Sequence, residues 1–151
     1  MEKTSCNIPT PEDLRNYIKE SVISVTGTYE QSASVLMVDD STIGTLGNFS
    51  ASIGKAKSKK TFNVSAIAAA ALKNGTVLHY RAYFPEGKRK ILYVDTEQGK
   101  NHCQIVLNRI LRLAGLPKDC DADNLTMLAL RKYSPEVRLA ITEEALSLIH
   151  I

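Results

Sequence analysis

The chain has no long hydrophobic run. Its longest apolar stretch, Ala66 to Leu72, falls well short of the roughly 20 residues a helix needs to cross a bilayer, so no membrane association is expected. The opening MEKTSCNIPTPEDL is polar, which excludes an apolar signal peptide. Cysteine is scarce: Cys6, Cys103 and Cys120 are odd in number and lack metal-ligand spacing. They fit reduced thiols in a cytoplasm rather than a disulfide frame. Charge of one sign is also missing. Nineteen Lys and Arg against sixteen Asp and Glu give a net charge of +3, which by itself implies neither nucleic acid nor membrane. There is no internal repeat or low-complexity tract. What is present is an apolar fraction of 44% in 151 residues, enough for a core in one domain or part of one.

Residues 1–33 read as a lead-in and one helix. Thr10-Pro11-Glu12-Asp13 supplies a capping hydroxyl, a first-turn proline and acids near the helix start. Leu14, Tyr17 and Ile18 share a face, and the helix fades at Glu20 to Ser24. Residues 34–151 then carry the main domain. Ser34 to Val38 is a short apolar run, broken at Asp39-Asp40-Ser41 as by a turn. Ile43 and Leu46, between glycines, suit an edge strand with its hairpin turn; a contact to the base or ribose of a nucleotide is the alternative.

Asn48 to Phe62, NFSASIGKAKSKKTF, is the most informative stretch. Phe49, Ala51 and Ile53 alternate with Ser50 and Ser52, as a strand would. After the loop, FNVSAIAAAALKNG predicts an alanine-rich helix closed by Asn74-Gly75. Between them lies GKAKSKKT. Against the phosphate-binding pattern G-x-x-x-x-G-K-[ST] it matches at Gly54, Lys60 and Thr61 and departs at Lys59, where glycine is expected. In such a loop, backbone N–H groups and the helix N-terminus hold phosphate oxygens. Lysine reaches the β- and γ-phosphates, and the next hydroxyl reaches magnesium. Gly54, Lys55, Ala56, Lys57, Ser58, Lys59, Lys60, Thr61 and Phe62 are thus candidate ATP-binding residues, with Thr61 at the metal. The competing reading is a solvated basic loop.

Further on, Thr76 to Pro85 is a strand or an extended crossing. His79 has no cysteine or histidine near it, so a metal site there is not expected. Lys88-Arg89-Lys90 leads into Ile91 to Val94, a continuous apolar run that predicts a strand buried on both faces. It ends in Asp95-Thr96-Glu97-Gln98. Carboxylates at the end of a parallel strand line a ligand crevice, and Glu97 there could deprotonate an attacking water. Thr96 or Asp95 could equally cap the helix that follows. That helix, Asn101 to Leu113, has Ile105, Val106, Ile110 and Leu113 on its apolar side. Leu125 to Leu130 predicts another strand, with Arg131 at its carboxyl end. A last helix from Ser134 carries a stripe of Val137, Ala140, Ile141, Ala145 and Leu148. Alternation of strand and helix predicts a parallel sheet flanked by helices.

GKAKSKKTF and KILYVDTEQ together resemble the RecA-superfamily P-loop ATPases. The likeness extends to replicative helicases of the DnaB and RepA type and to the "AAA family" ATPases of bacterial mobile elements. It covers about Gly47 to Leu148. It implies an α/β RecA-like core using ATP and Mg2+. Lys60 would act on the β- and γ-phosphates as a catalytic residue, Thr61 would bind the metal, and Glu97 would activate water. DNA is implied as partner, and a homo-oligomer when the protein is complete. No Walker B strand and no arginine finger follow the last helix. The chain is therefore expected to be C-terminally incomplete, with hydrolysis doubtful in this piece.

A second function class stands beside this one. Lys55, Lys57, Lys59 and Lys60, with Lys88, Arg89 and Lys90, could form a non-catalytic nucleic-acid-binding module. Its affinity would then fall steeply with salt.

Overall fold

The computed structural model describes residues 9–55, 58–117, 119 and 121–149. The chain divides into two compact units, Met1–Gln31 and Ser32–Ile151.

The first unit holds α1 (Pro11–Ser21). Its start follows from Thr10, whose hydroxyl accepts the Asp13 N–H while the Asp13 carboxylate accepts the Thr10 N–H at 2.9 Å. This reciprocal pair satisfies donors that the helix itself leaves open. Beyond the helix, Tyr29 folds back so that its hydroxyl accepts the Ser24 N–H at 2.7 Å.

The second unit contains two sheets. The larger joins β1 (Ser34–Val38), β2 (Ser41–Thr45), β3 (Thr76–Val77) and β4 (Tyr80–Ala82) in the order β2-β1-β4-β3. Every pairing in it is antiparallel. Two tight links dictate two of the three pairings: Asp39-Asp40 between β1 and β2, and Leu78-His79 between β3 and β4. Links of two residues can only reverse the chain, and both contain a left-handed residue, Asp39 at φ 48° and Leu78 at φ 54°. The smaller sheet is a parallel pair, β5 (Ile91–Asp95) and β6 (Leu125–Ala129), running in register from Ile91 opposite Leu125 to Asp95 opposite Ala129. Between them the chain passes through α3 (Lys100–Ala114), the long crossover that parallel strands require.

The core forms around α2 (Lys60–Lys73), which packs against β3, β4, β5 and α3. Contacts on several sides explain its composition. Ala66, Ala69 and Ala70 are wholly buried, and Ala68 and Ala71 nearly so; small side chains let the neighbouring elements approach closely. Against them α3 places Val106, Ile110 and Ala114, while Val77, Ala82 and Leu125 close the cluster. Asn74 ends α2 in the left-handed conformation, φ 49°. Its amide then grips the next segment from both sides, accepting the Phe84 N–H at 2.6 Å and donating to the Phe84 carbonyl at 3.2 Å. The last helix, α4 (Pro135–Ile149), buries no residue.

These observations correct the fold expected from the sequence. The domain is a small mixed α/β unit with an antiparallel main sheet, not a RecA-like parallel sheet flanked by helices, and the resemblance to RecA-superfamily P-loop ATPases is not supported. The strand expected from Phe49 to Ile53 is absent. That segment is irregular, with Phe49 and Ile53 almost fully exposed at 97% and 94%. Alternation makes a strand only where the segment pairs with a neighbour, and this one joins neither sheet. β5 is half-buried rather than buried on both faces. In α3, Ile105 points outward and Leu111 inward. The expected stripe on α4 is only partly covered, at Ile141 and Ala145, with Val137 and Leu148 exposed.

Candidate functional site

At the carboxyl end of β5 the chain turns sharply, and Asp95 makes the turn. Its side chain is buried, and one oxygen accepts both the Glu97 N–H at 2.9 Å and the Gln98 N–H at 2.8 Å. Its carbonyl accepts the Leu130 N–H at 2.7 Å, which ties the end of β5 to the end of β6. The carboxylate thus shapes a loop that presents Thr96, Glu97 and Gln98 along one wall of a cleft of about 400 Å3. The opposite wall is the first turn of α2, through Thr61 and Val64. Behind the loop, burial and then the negative charge of Asp95 push the Tyr93 phenol above its ordinary 10.0. The same two causes raise the buried Cys103 thiol, which donates to the Gln98 carbonyl.

The lysine-rich loop takes a different role from the one its sequence suggests. The Lys60 amine donates to the carbonyls of Gly54 and, at 3.0 Å, Lys55. It closes its own loop rather than reaching into the cleft. The Ser58 N–H adds a bond to the Lys55 carbonyl. Lys59 precedes the helix at φ 61°, and its carbonyl accepts the N–H groups of Phe62 and Asn63. A lysine at positive φ carries some strain. The Thr61 carbonyl accepts the Ser65 hydroxyl, while Phe62 is exposed and lines neither this cleft nor the groove beside it. Ala56 and Lys57 lie outside the described residues.

Of the expected site residues, the structure brings Thr61 and Glu97 to one cleft and leaves Lys60 turned away from it. Gln98, from the same polar strand end, belongs to the lining as well, and so does Val64, which no feature of the sequence marks. The sequence offers Thr96 or Asp95 as the cap of the following helix. The helix is in fact preceded by Gly99, with no side-chain cap, and the Asp-x-Glu-Gln spacing serves the turn instead. Arg131 lies away from the cleft, and its carbonyl accepts from Arg138. His79 faces Asp39 at 3.1 Å on the exposed rim of the main sheet.

The cleft combines two polarities. On one side stands the positive end of α2, with no acidic residue in its first turn and no side-chain cap; helix dipoles favour anions there. On the other stand carboxylates and amides that accept and donate hydrogen bonds. Among the described residues no three His, Cys, Asp or Glu side chains come together, so these residues alone do not make a metal centre. Also among them, no helix is long and apolar enough to cross a membrane.

Comparison with protein-family models, with curated proteins and with solved structures gives no match for this chain. The ATP-hydrolysing, DNA-processing RecA-like core expected from the sequence is therefore corrected. No strand enters the loop, the main sheet is antiparallel, and no cluster of metal donors is found among the described residues. The Walker A and P-loop NTPase assignments fall with it.

Proposed function

We propose that the second unit is a binding domain for a small phosphorylated ligand. The phosphate would sit at the N-terminus of α2, and hydroxyl or amine donors of the ligand would face Glu97 and Gln98. The observation that carries this reading is the single cleft shared by Thr61 at the helix start and Glu97 across from it. A helix N-terminus without a compensating acid attracts an anion by its dipole and free N–H groups. The Lys60 amine, held at the base of the same loop, adds positive charge without occupying the cleft. No hydrolysis is part of the reading.

Isothermal titration with inorganic phosphate, ribose 5-phosphate, and ATP with and without Mg2+ tests it. ATP and magnesium enter as the ligands named from the sequence. Binding of any phosphate that Thr61→Val weakens tenfold supports the proposal, because that change removes a hydroxyl and keeps the shape. Binding that ignores Thr61→Val and Glu97→Gln alike overturns it. Retention of DNA with a steep salt dependence, lost when Lys55, Lys59, Lys88 and Lys90 are neutralised, would instead mark a backbone-binding surface. The cysteine usage fits a cytoplasmic setting.

A further inference from the structure

A second, larger hollow adjoins the cleft. It is a groove of about 760 Å3, within the roughly 300–1,000 Å3 that small-molecule sites occupy. Its floor is the half-buried face of the main sheet, at Leu36, Val38 and Tyr80. One side is α2, at Val64 and Ile67, and the other is the irregular segment from Ser50 to Ile53. The lining is mostly apolar, with Tyr80, Asn63 and the serines as polar points. Those are the features of a site that takes a flat, largely apolar group and fixes its orientation with a few hydrogen bonds.

The groove and the cleft meet at α2. Val64 lines both; Thr61 faces the cleft and Asn63 and Ile67 the groove. From Thr61 to Ile67 the helix rises about 9 Å, within reach of one ligand carrying a phosphate at one end and a ring at the other. The segment from Ser50 to Ile53 makes no strand. It walls this groove instead.

We infer that the groove holds an aromatic or heteroaromatic ring of the same ligand whose phosphate lies at the start of α2. This rests on the phosphate-binding reading above and narrows it. The ligand class becomes a phosphate ester of a flat ring system, or of a sugar bearing one, rather than a simple sugar phosphate.

Titration calorimetry with 1-naphthyl phosphate, ribose 5-phosphate and inorganic phosphate tests the inference. The parent should bind 1-naphthyl phosphate at least tenfold more tightly than the other two. Ser52→Phe, which fills the groove from an exposed segment, should reduce that preference to below threefold and leave inorganic phosphate unchanged. Tyr80→Ala should act in the same direction, with circular dichroism confirming its fold. Equal affinity for naphthyl and ribose phosphates in the parent, or a preference that Ser52→Phe leaves intact, would overturn the inference while the phosphate site stands. If none of the three phosphates binds, both readings fall together.

Discussion

One carboxylate oxygen of Asp95 accepts the backbone N–H of Glu97 at 2.9 Å, so one acid of the cleft wall positions the backbone of the next. The same oxygen holds Gln98. Removing it leaves two N–H groups without their acceptor beside a buried strand end.

Asp95→Ala should therefore destabilise the second unit by about 1–3 kcal/mol, the cost of orphaned polar groups. Urea denaturation followed by circular dichroism measures it. Asp95→Asn keeps an acceptor oxygen and should lose less. Both variants should bind the phosphorylated ligands more weakly than their stability explains, because Glu97 and Gln98 lose their positions.

Asn74 joins the end of α2 to Phe84 through two hydrogen bonds and a left-handed backbone. Asn74→Ala removes the bonds and keeps a Cβ at φ 49°, where an L residue costs roughly 1–2 kcal/mol that the asparagine amide no longer helps to offset. Asn74→Gly removes the bonds and the Cβ together, and with the Cβ the left-handed strain. The alanine variant should be less stable than the glycine variant, and both less stable than the parent, in the same urea experiment. Equal stability of the two variants would show that backbone conformation contributes nothing there.

The N-terminus of α1 is built to fail in acid. The Thr10 hydroxyl, and then the Thr10 N–H, hold the Asp13 carboxylate below its ordinary 3.8. A carboxylate whose folded pKa is depressed stabilises the helix above the unfolded value, and that stabilisation is lost as pH falls through the folded value. Helical content assigned to α1 by NMR chemical shifts should therefore hold from neutrality to about pH 4 and decline below it. Asp13→Asn should flatten that decline.

Cys103 is buried, and burial with the nearby Asp95 charge raises its thiol above the ordinary 9.0. The thiolate is the reactive form. In a Cys6→Ser, Cys120→Ser background, Cys103 should react with iodoacetamide at least tenfold more slowly in the native protein than in urea at pH 8. The sign of the linked stability is the reverse of that for Asp13: the contribution is complete below the ordinary thiol value and fades as pH rises through the folded one.

The sequence showed the elements more clearly than their arrangement. Helix α2 was legible from its alanines, α1 from its cap, and β5 and β6 from their continuous apolar runs. The direction of the main sheet's strands was not, in contrast to the parallel β5 and β6, because apolar pattern says which residues are buried and nothing of which way a neighbour runs. Direction was written in the links: Asp39-Asp40 and Leu78-His79 are too short for anything but a reversal. The alternation at Phe49 to Ile53 misled because it describes how side chains could be sorted between two faces and not whether a neighbouring strand pairs with them. The cleft was half legible. Thr61 and Glu97 stood out by residue type, while the turn-making role of Asp95 and the wall formed by Val64 depend on contacts made only in the folded chain.

The contrast between the two sheets also sets the order in which they can assemble. A two-residue link lets β1 find β2, and β3 find β4, at almost no loop-closure cost, whereas β5 meets β6 only across the whole of α3. Closing that distance delays contact formation. The β1–β4 seam, whose partners Leu36 and Ala82 lie further apart along the chain than Ile91 and Leu125, should close later still, so the wall bearing Glu97 assembles after the two hairpins and before the seam that joins them.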